Sequence, residues 1–300
     1  MRRVMVTGAT GFVGGRVARR LRALGVEVAA PVRSPSTSLE HIGVIQYPGG
    51  LDAVGAALAD GADVVVHAAA TASDDLDLAR RVNRDGTRLV AEAARSAGVP
   101  RLVHVSTTSV YDRRAAEVLD EEQPLEDERG EDEPAPAPYA LTKAEAEREV
   151  AAVADDGLSA AILRPPAVLG AGPSSTWGTR IPRRLLDGRG FSIPREQTFG
   201  WVAIDDLVDA VVAAANVDAP VTVNVVGGHT TVGTYLDAVL ELLPQPVTLP
   251  EPDPEVEPWR GRYAADRLPA LLGFTPSRSF ETAMAEIAAD WSTDAEHDRR

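Results

Sequence analysis

Short apolar runs alternate with segments of helical periodicity through the first half of the chain. The apolar runs predict strands at 3–7, 26–32, 43–46, 63–68, 101–106 and 160–164. The helical pattern predicts helices at 12–24, 51–59, 76–97 and 139–154. Strands that alternate with helices form a parallel sheet covered on both faces, and continuous apolar runs such as 63–68 suit its central strands. The pattern therefore predicts an α/β fold.

The rhythm changes after Arg164. Glycine and proline cluster at 165–173, shorter elements follow, and 244–258 is a proline-rich acidic connector. This change predicts a main domain over 1–164. Residues 200–228 are expected to return to it, and a smaller lobe is expected to contain 165–199 and 229–300.

Composition narrows the class of protein. The 300 residues are 44% hydrophobic and 25% charged, as in a globular chain, and the net charge of −15 argues against nucleic-acid binding. The absence of cysteine excludes disulfides and a thiol nucleophile. We find neither a signal peptide nor an apolar run long enough to span a membrane, so a cytoplasmic protein is expected. Ten carboxylates within 117–133 predict a solvated loop.

A glycine turn follows the first strand. Gly8, Gly11 and Gly14 are spaced three apart between the run Val4–Val6 and an amphipathic helix. Glycines let a backbone approach phosphate groups, and the N–H groups of a helix N-terminus favour an anion. The turn therefore predicts a site for a dinucleotide pyrophosphate.

A second pattern carries acid–base chemistry. Tyr139 and Lys143 are four residues apart, on one face of the predicted helix 139–154. Upstream, the strand 101–106 ends in hydroxyl residues at 106–109. An ammonium near a phenol favours the phenolate, so Lys143 is expected to lower the pKa of Tyr139 for proton transfer.

These motifs together resemble the extended short-chain dehydrogenase/reductases, the nucleotide-sugar epimerase and reductase type. The resemblance rests on six segments in family order: Thr7–Gly14 (TGxxGxxG), His67–Ala70 (HxAA), Asn83–Thr87 (NxxGT), Arg164–Gly170 (RPxxVYG), Ile204–Leu207 (VDDL) and Leu272–Pro276 (LGWxP). It implies a Rossmann-type doubly wound parallel sheet with a smaller C-terminal lobe that binds substrate.

The resemblance also implies a cofactor site. Residues expected to contact NADP(H), or NAD(H), are Gly8, Thr10, Gly11, Phe12, Val13, Gly14, Arg33, Ala68, Ala69, Ser106, Tyr139, Lys143 and Pro165. Relatives that prefer NAD place Asp at the end of the second strand, where this chain has Val32 followed by Arg33. Arg33 can pair with a 2′-phosphate, so NADP(H) is predicted.

The roles of the catalytic residues follow from the same likeness. Tyr139 is the acid/base, and Lys143 holds the nicotinamide ribose. Thr107 hydrogen-bonds the substrate carbonyl, with Ser106 and Ser109 as alternatives. Asn83 joins through water or simply begins a helix. The substrate site is expected to include Thr107, Ser109, Tyr139 and Trp177, although Trp177 and Tyr111 equally suit core packing, and His67 is read as a structural strand-end residue.

Departures from family patterns favour one activity. Thr108 and Ser109 replace the Asp-Glu pair of dehydratases, and Phe199 stands where an Arg often binds a sugar-nucleotide diphosphate. We therefore expect an NADP(H)-dependent ketoreductase acting on a keto-deoxysugar nucleotide or a ketone on a secondary metabolite. A 4-epimerase that retains NAD and a non-catalytic cofactor sensor are the alternatives. No metal site is predicted, and the family allows a homodimer through the helices at 76–97 and 139–154.

Overall fold

The computed structural model describes residues 1–129, 134–154, 158–189, 193–252 and 256–297. Its strands are β1 (Arg3–Thr7), β2 (Glu27–Val32), β3 (Ile45–Pro48), β4 (Val64–His67), β5 (Arg101–Val105), β6 (Val118–Leu119), β7 (Ser159–Arg164), β8 (Ala167–Leu169), β9 (Thr198–Ala203), β10 (Val221–Asn224), β11 (Gly228–Thr231) and β12 (Arg262–Tyr263). The helices are α1 (Phe12–Ala23), α2 (Thr37–His41), α3 (Val54–Leu58), α4 (Leu76–Ala79), α5 (Gly86–Ser96), α6 (Pro138–Ala154), α7 (Ile181–Leu186), α8 (Ile204–Ala215), α9 (Val232–Leu242), α10 (Arg267–Leu272) and α11 (Phe280–His297).

A seven-stranded parallel sheet positions the predicted site. Its strand order is β10-β7-β5-β4-β1-β2-β3, so the chain runs outward in opposite directions from β1 and β4. Such a reversal leaves a crevice at the carboxyl ends of the two strands, where α/β sheets bind ligands. The glycine turn follows β1 and the segment Ala68–Ala70 follows β4, so both predicted cofactor elements meet at this crevice. The Rossmann-type fold is confirmed.

Apolar side chains cover both faces of this sheet. One face packs on α1 and α8 through residues such as Val17, Leu21 and Leu207, and the other on α3, α5 and α6. Because the central strands are covered on both faces, they read as continuous apolar runs, which made them predictable from sequence; the edge strand β3 is partly exposed.

A smaller sheet, β11-β9-β8, forms the core of a second structural layer with α9 and α11. Residues 200–203 belong to β9 of this sheet, so the chain returns to the larger sheet only at α8 and β10. The division into a main domain and a substrate lobe remains a prediction.

Two predicted helices are interrupted in the structure. The segment 76–97 contains α4, a π-helical stretch at Arg80–Asp85 and α5, and the segment 51–59 contains a 3₁₀ turn at Gly50–Ala53 before α3. Thr87, near the start of α5, donates its hydroxyl hydrogen to the carbonyl oxygen of Asn83 in the π-helical stretch. Periodicity does not reveal such a side-chain bond.

The acidic segment is solvated at most of its described carboxylates, as expected of a surface loop, but it is anchored at two buried side chains. Leu119 is fully buried, and β6 pairs in parallel with β12. Glu121 is 8% exposed, and its Oε1 accepts a hydrogen bond from the backbone N–H of Asn224 at 2.7 Å. Burial of these two side chains fixes the first half of the segment, whereas 130–133 lie outside the described residues.

Candidate active site

The glycine turn has no room for side chains. A Cβ on Gly14 would lie 2.3 Å from the Gly8 carbonyl oxygen, and one on Gly8 would lie 2.8 Å from the Ala68 backbone. Gly8 also has a φ of +68°, in the left-handed region that favours glycine. Gly14 therefore lets α1 approach β1 closely, while Gly8 lets the turn pass against the segment after β4.

The N-terminus of α1 suits an anion. Gly11 caps the helix without a side-chain hydrogen bond, and the first turn contains no acidic residue. Thr10 and Gly11 are exposed, and Phe12 and Val13 are partly so. Since the unpaired N–H groups of a helix start attract phosphate, the turn fits the pyrophosphate of a dinucleotide.

His67 is a structural residue at the end of β4. Its Nδ1 lies 2.7 Å from the Thr7 hydroxyl, and its Nε2 lies 2.9 Å from the Thr87 hydroxyl. Because the Thr87 hydroxyl donates to the Asn83 carbonyl oxygen, it accepts from His67 Nε2–H. Burial and the Lys143 charge lower the pKa of His67 to about 3, so it is neutral and serves to join β1, β4 and α5.

Thr107 and Tyr139 come together as predicted for a catalytic pair. Thr107 follows β5, and its Oγ accepts from the Ser109 amide at 3.1 Å and donates to the Ser109 Oγ at 3.2 Å. Tyr139 lies in the first turn of α6. Burial raises its pKa, and a hydrogen bond with the Thr107 side chain opposes this rise. The prediction that Lys143 lowers this pKa is wrong: the net shift is upward, and Lys143 Nζ bonds to the Val105 carbonyl oxygen of β5.

Lys143 is buried against β5. Its Nζ donates to the Val105 carbonyl oxygen at 2.9 Å and lies 3.0 Å from His104 Nε2, and the residue is 1% exposed. Burial lowers the pKa of the ammonium to about 8, and Glu147 opposes this shift. His104 was not among the residues predicted for the site, although a histidine between two valines of a predicted buried strand is unusual and could have indicated it.

A buried ion pair lies one turn further along α6. Arg164 donates to both carboxylate oxygens of Glu147, with an Nε–Oε1 distance of 3.1 Å and an Nη2–Oε2 distance of 2.6 Å. Glu147 also accepts from the Ser106 hydroxyl. The Ser106 hydroxyl proton is therefore engaged, and the oxygen can take part in the predicted cofactor contact only as an acceptor.

Asn83 positions backbone. Its Nδ2 donates to the Thr71 carbonyl oxygen and to the Thr142 hydroxyl, both at 2.9 Å, and its Oδ1 accepts from the Thr71 amide at 2.8 Å. Both amide hydrogens are thus engaged, so the predicted bond through water has the second lone pair of Oδ1 left to it. These bonds join the segment after β4 to α6, beside Lys143.

The end of β2 presents a cation. Arg33 is exposed, and among the described residues it has no ion-pair partner. Hydroxyl side chains follow it at Ser34, Ser36, Thr37 and Ser38. No carboxylate lies between Arg33 and Glu40 in the sequence. The position therefore offers a guanidinium and several hydroxyls to an anionic group.

Pro165 closes the carboxyl end of the sheet near the hydroxyls. Its carbonyl oxygen accepts from the Thr108 amide at 2.9 Å, which fixes the loop after β5 against the end of β7.

Tyr111 is a buried core residue. It is 1% exposed, and its hydroxyl donates to Asn224 Oδ1 at 2.6 Å.

Aromatic residues fill the position where a diphosphate-binding Arg was considered. Phe199 is 4% exposed and stacks on Tyr235 with ring centroids 4.6 Å apart. Trp177 meets both rings edge-on, at 5.0 and 5.3 Å. Trp177 is partly exposed at the edge of this stack, which leaves a pocket-wall role as a prediction.

In the part of the chain that the structure describes, no group of three or more metal-ligating side chains converges. None of the helices described there combines the length and apolarity that crossing a bilayer requires.

The chain is similar in sequence and in structure to known proteins of one family. The NAD dependent epimerase/dehydratase family matches residues 4–248. A 2-alkyl-3-oxoalkanoate reductase of Stenotrophomonas maltophilia is 38% identical over 62% of this chain, a match that spans 57% of that reductase. A 3-diazoavenalumate denitrifying reductase of a Streptomyces species is 32% identical over 96% of this chain and 88% of its own. The structure of MoeE5 with UDP-glucose and NAD superposes with a TM-score of 0.80 at 26% identity, covering 98% of this chain and 99% of that one.

Proposed function

Because the chain belongs to the NAD dependent epimerase/dehydratase family and is an oxidoreductase of the extended short-chain type, we propose that it is an NADP(H)-dependent ketoreductase. The observation that carries the cofactor preference is Arg33, an exposed guanidinium at the end of β2 for which the described part of the chain supplies no ion-pair partner. A carboxylate at this place would repel a 2′-phosphate, whereas a guanidinium pairs with it through two hydrogen bonds.

The roles of the site residues follow from their positions. The glycine turn and the start of α1 bind the pyrophosphate, Ala68 and Ala69 line the crevice beside it, and Lys143 holds the ribose. When bound, the nicotinamide supplies the hydride. Tyr139 gives its proton to the developing alkoxide, and the Thr107 hydroxyl turns from Ser109 Oγ to donate a hydrogen bond to the same oxygen, so both groups stabilise the charge of the transition state.

The substrate is a ketone without a diphosphate. Phe199 supports this choice because it is buried in an aromatic stack with Tyr235, and a buried ring offers no donor to a phosphate. The name of the Stenotrophomonas relative, a reductase of 2-alkyl-3-oxoalkanoates, points to the same class, a ketone that bears no diphosphate. We propose a 3-oxo acid or a comparable ketone on a secondary metabolite, with Ser109 and Trp177 among the contacts.

An epimerase that retains NAD is the second candidate. The likeness to MoeE5, solved with UDP-glucose and NAD, favours it. The two reactions differ in their use of cofactor, since an epimerase returns the hydride that it removes, whereas a reductase consumes one NADPH for each alcohol formed.

A substrate panel tests the proposal. Purified protein is incubated with NADPH and a 2-alkyl-3-oxoalkanoate, and in parallel with UDP-glucose, while absorbance at 340 nm and product are followed. We expect NADPH oxidation equal to alcohol formed with the oxo acid. Conversion of UDP-glucose to its 4-epimer without a change at 340 nm would replace the proposal with the epimerase.

A further inference from the structure

His104 lies directly beneath the predicted ribose-binding lysine. Its Nε2 is 3.0 Å from Lys143 Nζ, and its ring stacks on His67 with centroids 5.3 Å apart. Both His104 and Lys143 are at most 1% exposed. The contact therefore links β5 to α6 within a region that excludes water.

The donors of Lys143 can be counted. An ammonium has three N–H groups and no acceptor. The Val105 carbonyl oxygen accepts one of them, and His104 Nε2 accepts the second if its proton resides on Nδ1. Two fixed bonds set the direction of the third N–H, which remains for a ligand.

The other ring nitrogen of His104, Nδ1, is left in an unfavourable environment. Among the described residues, His104 Nδ1 is buried without a hydrogen-bond partner. An unpaired buried polar atom costs stability, and an apolar residue would be expected in its place in a central strand. Packing alone therefore does not account for a histidine here, whereas the need for an acceptor opposite Lys143 does.

We propose that His104 is the positioning residue of Lys143, accepting one of its N–H groups so that another is directed to the ribose of the cofactor. This rests on the proposed function, since it assumes that a dinucleotide occupies the crevice. His104 does not touch the reacting atoms; it acts through Lys143.

Neighbouring ionisable groups leave Lys143 as the one that titrates near neutrality. Burial, Lys143 and His67 hold the pKa of His104 well below its usual range, and His67 is neutral for the same reason. Glu147 is ion-paired with Arg164, and burial raises the pKa of Tyr139. As pH rises through the pKa of Lys143, the ammonium and its attraction for the cofactor are lost, so affinity should fall toward alkaline pH.

Two measurements test the proposal. The first is the tautomer of His104, read from long-range ¹H–¹⁵N correlations of the whole protein and assigned by its loss in H104Q. We expect the proton on Nδ1. A proton on Nε2 would overturn the proposal, and this result needs neither cofactor nor substrate.

The second is NADPH affinity between pH 6 and 10, from nicotinamide fluorescence, for the native protein, H104F, H104Q and K143M. Phe keeps the ring but removes the acceptor, so the midpoint of the alkaline loss should move down by about one pH unit. Gln places an acceptor near the Nε2 position and should restore the native midpoint. K143M should lack this step and reports the titration of NADPH itself.

An H104F midpoint equal to the native one would overturn the proposal, and H104L replaces H104F if that variant does not fold. A native protein that binds neither NADPH nor NADH would instead defeat the proposed function. The tautomer result would then still decide whether His104 accepts from Lys143.

Discussion

Arg164 on β7 and Glu147 on α6 form a buried, bidentate ion pair that fixes the helix bearing the predicted acid–base residues. Tyr139, Lys143 and Glu147 lie at four-residue spacing, on one face of α6. Since the pair is at most 6% exposed on either side chain, it is poorly screened by water. The position of Tyr139 relative to the sheet therefore depends on a contact two turns along the helix.

Loss of one partner should destabilise the protein strongly. In Arg164→Met the Glu147 carboxylate stays buried without its counter-ion, and such changes typically cost about 3–5 kcal/mol. Urea unfolding measures the free energy. Arg148→Met is the matched control, because the Arg148–Asp127 pair is exposed and should contribute about 0–1 kcal/mol. Equal losses in the two variants would show that the buried pair has no special weight.

Removal of the Tyr139 hydroxyl should abolish most turnover. Tyr139→Phe deletes the proton donor but leaves the ring, so we expect kcat to fall by about 10²–10⁴-fold with NADPH affinity unchanged. Steady-state rates and fluorescence titration measure the two quantities. Tyr47→Phe is a control, since Tyr47 lies on the edge strand β3, where its hydroxyl accepts from Arg3 Nη2 at 3.3 Å. A near-native rate in Tyr139→Phe would require a different proton donor.

Gly14 should tolerate no side chain. The added Cβ of Gly14→Ala would lie 2.3 Å from the Gly8 carbonyl oxygen, so α1 must move away from β1 and the pyrophosphate site with it. We expect lower thermal stability and at least tenfold weaker NADPH binding. Gly55→Ala, in α3, has no atom within 4 Å of the added Cβ and should be neutral or slightly stabilising. Native-like binding by Gly14→Ala would remove the turn from the cofactor site.

Most strands of the larger sheet could be predicted from the sequence. A strand that is buried on both faces consists of an uninterrupted apolar run, which is easy to recognise. β8 and β11 were missed because they are short and lie beside Gly and Pro, whereas β9 is longer and mostly buried but has Gly200 within its apolar run. Within the candidate site, the family resemblance predicted roles for Tyr139 and Thr107, but not which hydroxyl bonds which group. Ser106 turns to Glu147 and Asn83 to Thr71 through contacts between residues distant in sequence, and Lys143 meets His104 in the same way.

Arg33 should determine the choice of cofactor. Arg33→Ala removes the guanidinium offered to the 2′-phosphate, and a charge-assisted hydrogen bond contributes about 1.5–3 kcal/mol, so kcat/KM with NADPH should fall about tenfold or more. The value with NADH should change little. Arg88→Ala, exposed on α5, changes the net charge equally and should leave the ratio intact. A native protein that prefers NADH would contradict this assignment.

The central claim is net transfer of hydride from NADPH to a ketone. It is tested most directly by incubating the protein with NADPH deuterated at C4 and a 2-alkyl-3-oxoalkanoate, then locating the label by mass spectrometry. The account predicts one deuterium on the carbinol carbon for each NADP⁺ formed, with the label delivered from one face of the nicotinamide. Retention of all label in the cofactor, with tightly bound NAD in the purified protein and epimerisation of a nucleotide sugar, would contradict it.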